Sequence, residues 1–219
     1  MNSPIIQLLV LAGVAVFLIL KLRNVLGTRE GFEKPPVTQK GPDATARREF
    51  EVIEGGPDRD IIDHVPEGSA AADALARMKR AEPSFGVADF LSGARGAYEM
   101  ILMSFERGDL AEIKPFLDAD VYESFAGVVE SRAAQGLVVE AEFVGVREMT
   151  LADATFDDTT RLGELTVRFV GELTSVVRDA SGEIVEGSTT GTKKQKDVWT
   201  FARNMGSDDP NWQLVATGE

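Results

Sequence analysis

The sequence predicts an α+β domain that follows a membrane-spanning segment and a linker. Three observations support this organisation: an apolar run at the N-terminus, a region rich in glycine, proline and charge, and a long C-terminal region in which helical periodicity gives way to alternation. The chain has 219 residues, 43% of them hydrophobic, which is enough for one domain with a real core plus appendages.

The apolar run extends over Pro4–Leu20, and Gln7 is its only clearly polar side chain. This length approaches the roughly 20 residues that cross a bilayer core. A secretory signal peptide carries its basic residues before the run, whereas here they come after it. They are Lys21, Arg23 and Arg29. A buried helix of a soluble domain is the other alternative, but no polar residues recur at helical spacing. We therefore predict a single-pass anchor over residues 1–26, with its N-terminus outside and the rest of the chain in the cytoplasm.

Residues 27–66 are predicted to form a disordered linker, because they are dense in glycine, proline and charge and show no sustained period. The linker contains His64, the only histidine of the chain. A lone histidine with no second ligand nearby is most often a solvated side chain, and we assign it no function. Residues 67–83 are predicted to form a short helix outside the main fold, with a thin apolar stripe and a stop at Pro83.

The globular domain is placed at residues 84–219. Its first long helix is predicted from apolar residues at three- and four-residue steps, with Asp89 as the N-cap and Gly108 as the stop. A short helical turn breaks at Pro115. A second long helix is predicted from about Ala119 to Gln135.

Alternation replaces the helical period after Gly136. The runs "LVVEAEFVGVREMTL" and "GELTVRFVGELTSVVRD" predict two long strands, and "KKQKDVWTFARN" and "NWQLVATG" predict two more. Polar turn residues separate neighbouring runs, as they do in hairpins. We expect a four-stranded antiparallel sheet with one face packed on the helices.

Both tryptophans stand in the closing stretch "WTFARNMGSDDPNWQL", together with Phe201. Strand alternation places Trp199 and Phe201 on one face, and Trp212 at a staggered position on the next strand. Large aromatic side chains in such positions fill cores, and they also stack on ligands. Tyr98, on the inward face of the first long helix, and Tyr122 are aromatic candidates of the same kind. These five residues are the candidate pocket or core positions.

The closing stretch and the order of elements resemble the Tim44-like family, which is named after a peripheral subunit of the mitochondrial inner-membrane protein translocase. The resemblance covers residues 84–219, and "DVWTFARN" followed by "DPNWQL" is its most specific part. It implies a fold similar to the nuclear-transport-factor-two-like cone, in which three helices lie over a curved antiparallel sheet of four strands. It also implies a bacterial relative anchored in the inner membrane.

Charge and composition exclude several classes of function. The chain carries a net charge of −13 and has no cysteine, which makes nucleic acid a poor partner and excludes thiolate chemistry. No catalytic set, cofactor loop or metal-ligand cluster can be assembled from the sequence, and residues 84–219 contain no histidine. We therefore expect neither an enzyme nor a cofactor.

Two binding functions remain open. In the first, the chain is a membrane-tethered adaptor that recruits other proteins at the cytoplasmic face of the membrane, in connection with protein translocation or membrane-protein assembly. In the second, the pocket of the cone holds a lipid or another small apolar ligand. Residues 89–219 carry a net charge of −12, which disfavours contact with an anionic leaflet and favours a protein partner with a basic surface. The adaptor is the leading interpretation.

Overall fold

The computed structural model describes residues 56–218. The predicted anchor, residues 1–26, and residues 27–55 of the predicted linker lie outside this range. Within residues 56–218, no helix combines the length and the hydropathy needed to span a bilayer. In chain order the elements are α1 (Arg59–Ile62), α2 (Ala70–Ala81), α3 (Val87–Arg107), a 3₁₀ turn (Lys114–Phe116), α4 (Ala119–Ala134), β1 (Val138–Phe156), β2 (Leu162–Arg178), β3 (Ile184–Asn204) and β4 (Gln213–Gly218).

The four strands form one antiparallel sheet in the order β1-β2-β3-β4, which confirms the predicted meander and the α+β class. The pairing of β1 with β2 shifts register at three places, between Phe143 and Gly145, between Val146 and Glu148, and between Leu151 and Asp153. Such bulges bend a strand and increase its twist. The sheet is therefore built to curve.

The hydrophobic core lies between one face of the sheet and the helices. Leu165, Val167 and Phe169 alternate along β2 and are fully buried, as the period of two requires. Tyr98 and Ile101 on the inward face of α3 are equally buried, and the ring of Tyr98 stacks on Phe169 with 4.4 Å between centroids. The helical period of α3 predicted this face correctly.

Helix α2 belongs to this core, and the prediction that it lies outside the main fold is wrong. Leu75 and Met78 are completely buried, and α2 packs against β1. The hydroxyl of Ser69 caps the helix by accepting a hydrogen bond from the amide of Ala72 at 3.1 Å. The apolar stripe looks thin in the sequence because much of it is alanine, and small side chains let a helix approach its neighbour closely.

Residues 56–66 are also folded onto the domain, which corrects the last part of the predicted linker. Ile61 and Val65 are each only 5% exposed and join the core cluster. Lys79 of α2 holds this segment by ion pairs to Asp58 and Asp60, at 2.8 and 2.7 Å. Ile61 and Val65 are two apolar residues four positions apart in a polar segment, and so short a pattern does not predict a folded element from the sequence.

Asp60 also closes the N-terminus of α3, where the sequence predicted Asp89 as the cap. The helix begins at Val87, and its N-cap residue, Gly86, offers no side-chain hydrogen bond. The carboxylate of Asp60 instead accepts hydrogen bonds from the amides of Val87 and Ala88, at 2.8 and 2.9 Å. At the other end Gly108 adopts a left-handed conformation, φ 75°, and stops the helix as predicted.

Helix α4 begins after its N-cap Asp118 and is buried less deeply than α3. Its apolar residues are buried to different degrees, since Val121 is buried, Phe125 and Val129 are half-buried, and Val128 is 43% exposed. The helix covers the rim of the core instead of its centre.

Candidate functional site

The candidate site is an apolar cleft of about 360 Å³ between the first half of α3 and the turn that joins β3 to β4. Its volume lies within the range of pockets that hold small ligands or a partner's side chain. We call it the aromatic cleft, and define it by Phe85, Phe90, Gly93, Phe201, Arg203 and Trp212.

Trp212 forms the outer wall of the aromatic cleft. Its ring centroid lies 4.8 Å from that of Phe90 and 6.0 Å from that of Phe85. Phe90 in turn meets Phe201 edge to face at 5.9 Å. Trp212 is half-buried, whereas its three neighbours in this group are buried. The indole therefore presents one side to whatever enters the cleft.

Arg203 fixes the position of Trp212. Its guanidinium lies 5.1 Å from the centroid of the indole ring, and its Nη2 donates to the carboxylate of Glu82 at 2.7 Å. The same carboxylate accepts the amide of Gly206, also at 2.7 Å. Burial alone raises the pKa of Glu82, but the hydrogen bonds from Gly206 and Arg203 outweigh it and lower that pKa below its ordinary value. The polar edge of the cleft is thus a preformed ionic network.

Small residues of α3 line one side of the aromatic cleft. Gly93 and Ala97 are among them, and a Cβ placed on Gly93 would meet no atom within 4 Å. Gly96, one position before Ala97, also has open space around it but does not line the cleft. The two glycines lie almost one turn apart on the same helix, and Gly96 is rotated by about 60° from Gly93, away from the residues that line the cleft.

The structure divides the five candidate residues into three groups. Phe201 and Trp212 line the cleft. Tyr98 and Trp199 are core residues, 0% and 3% exposed, with their ring centroids 4.8 Å apart. Tyr122 lies on α4, half-buried, with the Lys114 ammonium 5.0 Å from its ring centroid.

The prediction that the last strand begins at Asn211 and carries Trp212 is wrong. Trp199 pairs with Thr217, whereas Trp212 precedes β4, which begins at Gln213. Strand pairing ends at Ala202 and Gln213, which leaves Asn211 and Trp212 in the loop before β4. Within that loop Asp209 accepts the amide of Asn211 at 2.9 Å, as expected for a turn fixed by hydrogen bonds.

The buried Tyr98 makes one polar contact of its own. Its hydroxyl donates to the carboxylate of Asp197 at 2.5 Å. Burial, followed by this hydrogen bond, raises the pKa of Tyr98 far above its ordinary value, so the phenol stays neutral. The pair lies outside the cleft, and within residues 56–218 no group of three or more histidine, aspartate or glutamate side chains is arranged to hold a metal ion.

The sequence does not identify Phe85 and Gly93 as residues that line the cleft. Both lie next to or inside α3, whereas Trp212 comes from the far end of the chain. The signal that the sequence offered for this part of the cleft was Gly93, a glycine within a helix that is otherwise rich in apolar residues.

Comparison with known proteins places these features in a family. The model of the Tim44-like domain matches residues 71–219, which is more than half of the chain. The chain belongs to the Tim44-like family. The match begins 13 residues before the predicted boundary at 84, and so includes nearly all of α2. The extent of the family match and the burial of α2 therefore both place this helix within the Tim44-like domain.

One relative is human mitochondrial import inner membrane translocase subunit TIM44, 22% identical over 159 residues. The match covers 71% of this chain and 35% of that protein, so the chain spans about a third of its relative's length. Among solved structures, the intermembrane space region of chloroplast protein ARC6 matches 58% of this Tim44-like chain and 94% of its own, at 13% identity and a TM-score of 0.39.

Proposed function

We propose that this protein is a membrane-tethered adaptor that recruits other proteins at the cytoplasmic face of a bacterial inner membrane. Residues 1–26 would anchor it with the N-terminus outside, and the Tim44-like domain would act inside. Tethering raises the local concentration of a domain at the bilayer, so that weak contacts with partners suffice. The cone-like fold that the family resemblance implies is part of this proposal, and the bulged sheet with helices on one face is compatible with it.

The main support for the proposal is that Trp212 is partly exposed and lines an apolar cleft. Tryptophan and arginine dominate the binding energy of many protein interfaces, above all where a pocket can be desolvated. Here the two stand together, with Arg203 only 8% exposed and already fixed by Glu82. A partner's apolar side chain that entered the cleft would find a rigid wall and pay little ordering entropy.

The chemistry of the cleft favours binding without turnover. Glu82 and Arg203 neutralise one another, and Glu82 is held further by Gly206. A general acid or base needs a proton that it can exchange with a bound group, and a carboxylate held as a paired anion is poorly suited to that task. We therefore propose that the domain is not an enzyme.

The name of the human relative, a translocase subunit, supports a role connected with protein translocation or membrane-protein assembly. The match is limited to about a third of that protein, so the proposal concerns the shared domain.

Photo-cross-linking in the full-length chain tests the proposal. A photoreactive amino acid at Asn211, on the rim of the cleft, should give discrete protein adducts in membranes. The same probe at Glu130, exposed on α4 and away from the cleft, is the control and should give few. Equal adduct patterns at both positions, or adducts only at Glu130, would contradict the proposal.

A lipid or another small apolar ligand in the cleft is the second candidate, and the volume and apolar lining of the cleft favour it. Native mass spectrometry of the full-length protein, released gently from membranes, separates the two. A retained ligand in the mass range of a fatty acid or phospholipid, with no protein adduct at Asn211, would favour the ligand.

A further inference from the structure

Strand β3 is much longer than the strand beside it. β3 spans Ile184–Asn204, whereas β4 pairs only with its residues Val198–Ala202. On the other side β3 pairs with β2 along nearly its whole length. Within residues 56–218, the edge of β3 that precedes Val198 therefore has no strand partner. An edge of this kind presents a row of free backbone donors and acceptors.

A bulge limits this free edge at its far end. Thr174 of β2 pairs with Thr192, but the next residue, Ser175, pairs with Ser188, so residues 189–191 are looped out. The Ser188 hydroxyl stabilises the loop by accepting the amide of Gly191 at 3.1 Å. The regular part of the edge is thus Thr192–Asp197, six residues bounded by the bulge and by the end of β4. We call it the open edge.

The open edge is basic in a protein that is strongly acidic. Its lysines, Lys193, Lys194 and Lys196, are all exposed, and within the described part of the chain none of them forms an ion pair. Glu172, which faces Lys194 across the strand pair, is engaged by Arg147 and by the hydroxyl of Thr192. Since charges are screened over about 8 Å at physiological salt, these lysines and not the net charge decide what approaches the edge.

Lysines on a sheet edge commonly prevent self-association. Three of them within four residues repel a second copy of the same edge, because like charges would face each other. They leave the backbone of the open edge free, however, and they attract a strand of opposite charge. The same feature that disfavours a dimer therefore selects an acidic partner.

We propose that the open edge binds an acidic, extended segment of a partner protein by strand addition, in line with β4. Backbone hydrogen bonds would supply affinity, and carboxylates opposite the lysines would supply specificity. This inference rests on the proposed adaptor function and names one chemistry by which a partner is recognised. The partner would carry acidic residues at alternate positions over about six residues, the length of the open edge, opposite Lys194 and Lys196, which share one face of the strand.

Hydrogen exchange on the full-length protein in detergent tests the proposal with a defined probe. The probe is an end-capped hexapeptide of alternating glutamate and valine. With the peptide at ten times its dissociation constant, edge-facing amides of Thr192–Lys196 should exchange about tenfold more slowly. Amides of Val198–Ala202, already paired on both sides, should not change.

Two controls test the lysines and the backbone of the open edge in turn. The variant K193Q/K194Q/K196Q should lose the protection, whereas R80Q/R95Q/R107Q, which removes the same charge from exposed positions on α2 and α3, should keep it. The second control uses two peptides, each N-methylated at alternate residues, so that one peptide loses the amides that would face the open edge and the other loses the opposite set. The first should fail to protect the open edge, although its charge is unchanged.

Three outcomes would overturn the proposal: no protection of the open edge by the acidic peptide, equal protection by a lysine–valine peptide, or protection that appears without peptide when the protein is concentrated. The last would identify a second copy as the occupant. None of these results bears on the cross-linking at Asn211, so the adaptor function and the open edge can fail separately.

Discussion

The hydroxyl of Tyr98 and the carboxylate of Asp197 lie 2.5 Å apart in the core, joining α3 to β3. Gly171 on β2 makes this contact possible, since a Cβ at that position would stand 2.6 Å from the Tyr98 oxygen. Tyr98 cannot move aside easily, because its ring is stacked on Phe169 and is completely buried. Three segments of the chain thus depend on one polar contact within an apolar core.

The first prediction concerns this arrangement. Gly171→Ala should destabilise the domain by about 1–3 kcal/mol, because the added methyl group overpacks the site. Tyr98→Phe should cost about 1–3 kcal/mol, since it removes one of the hydrogen bonds of a buried carboxylate. The double variant should cost less than the sum of the two, because the hydroxyl that the methyl group meets is gone. Urea denaturation measures all three, and strictly additive costs would show that the two residues do not collide.

The second prediction concerns the cap that Asp60 provides. Asp60→Asn should destabilise the domain by about 1 kcal/mol, because the amides of Val87 and Ala88 and the ammonium of Lys79 lose a charged partner. Exchange of the Val87 and Ala88 amides should accelerate. Glu67→Gln, an exposed change in the same segment, should leave both quantities unaltered.

The same carboxylate gives a prediction about pH. Burial acts to raise the pKa of Asp60, but hydrogen bonds from Lys79, Ala88 and Val87 outweigh it and hold that pKa below its ordinary value of 3.8. The stabilisation that the ionised Asp60 carboxylate gives to the folded domain is therefore complete above pH 3.8 and is lost as the pH falls through the lowered pKa. The stability difference between wild type and Asp60→Asn should shrink on acidification below pH 3.8 and stay constant above it. A difference that grows at low pH would contradict the assignment.

The third prediction separates the two tryptophans. Trp199→Ala should cost about 3–5 kcal/mol, because the ring is 3% exposed and its removal leaves a cavity. Trp212→Ala should cost only about 1–2 kcal/mol, because Trp212 is only partly buried. The denaturation midpoints decide the matter. Equal losses would mean that Trp212 is core and that the aromatic cleft has no exposed wall.

The fourth prediction concerns the anchor, which lies outside the described residues. Alkaline carbonate should leave the full-length protein in the membrane fraction, because the run Pro4–Leu20 would be buried in the bilayer. Protease added outside intact cells should not reach the domain. Extraction by carbonate, or cleavage of the domain from outside, would refute the predicted topology.

Local patterns predicted the elements that bury a regular face. The period of α3 identified Tyr98 as an inward residue, and alternation identified the long strands β1, β2 and β3. The ends of these elements were predictable where a single residue determines them, as Gly108 does through its left-handed conformation. In each case the information lies within a few residues of the structure that it specifies.

Features that depend on distant residues could not be predicted in this way. The cap on α3 comes from Asp60, 27 positions before Val87, and displaces the local candidate Asp89. Trp212 lies in the loop before β4, because the pairing of the closing hairpin ends at Ala202 and Gln213, and alternation alone does not reveal where pairing ends. The aromatic cleft combines residues from both ends of the domain. Two of its aromatic residues could be recognised from the sequence, but the shape of the cleft could not, because it depends on how the two ends pack together.

The central claim is that the aromatic cleft recruits a protein, and a matched pair of substitutions on α3 tests it most directly. Gly93 lines the cleft and Gly96 does not, and a Cβ at either position meets no atom within 4 Å. Gly93→Leu should therefore fill part of the cleft and Gly96→Leu should not, while both should strengthen the helix by a similar amount, about 1 kcal/mol. The measurement is the yield of protein adducts after cross-linking the full-length variants in membranes. The claim predicts that Gly93→Leu loses most of the adducts and Gly96→Leu keeps them. Undiminished adducts with Gly93→Leu, in a protein as stable as the Gly96→Leu control, would contradict it.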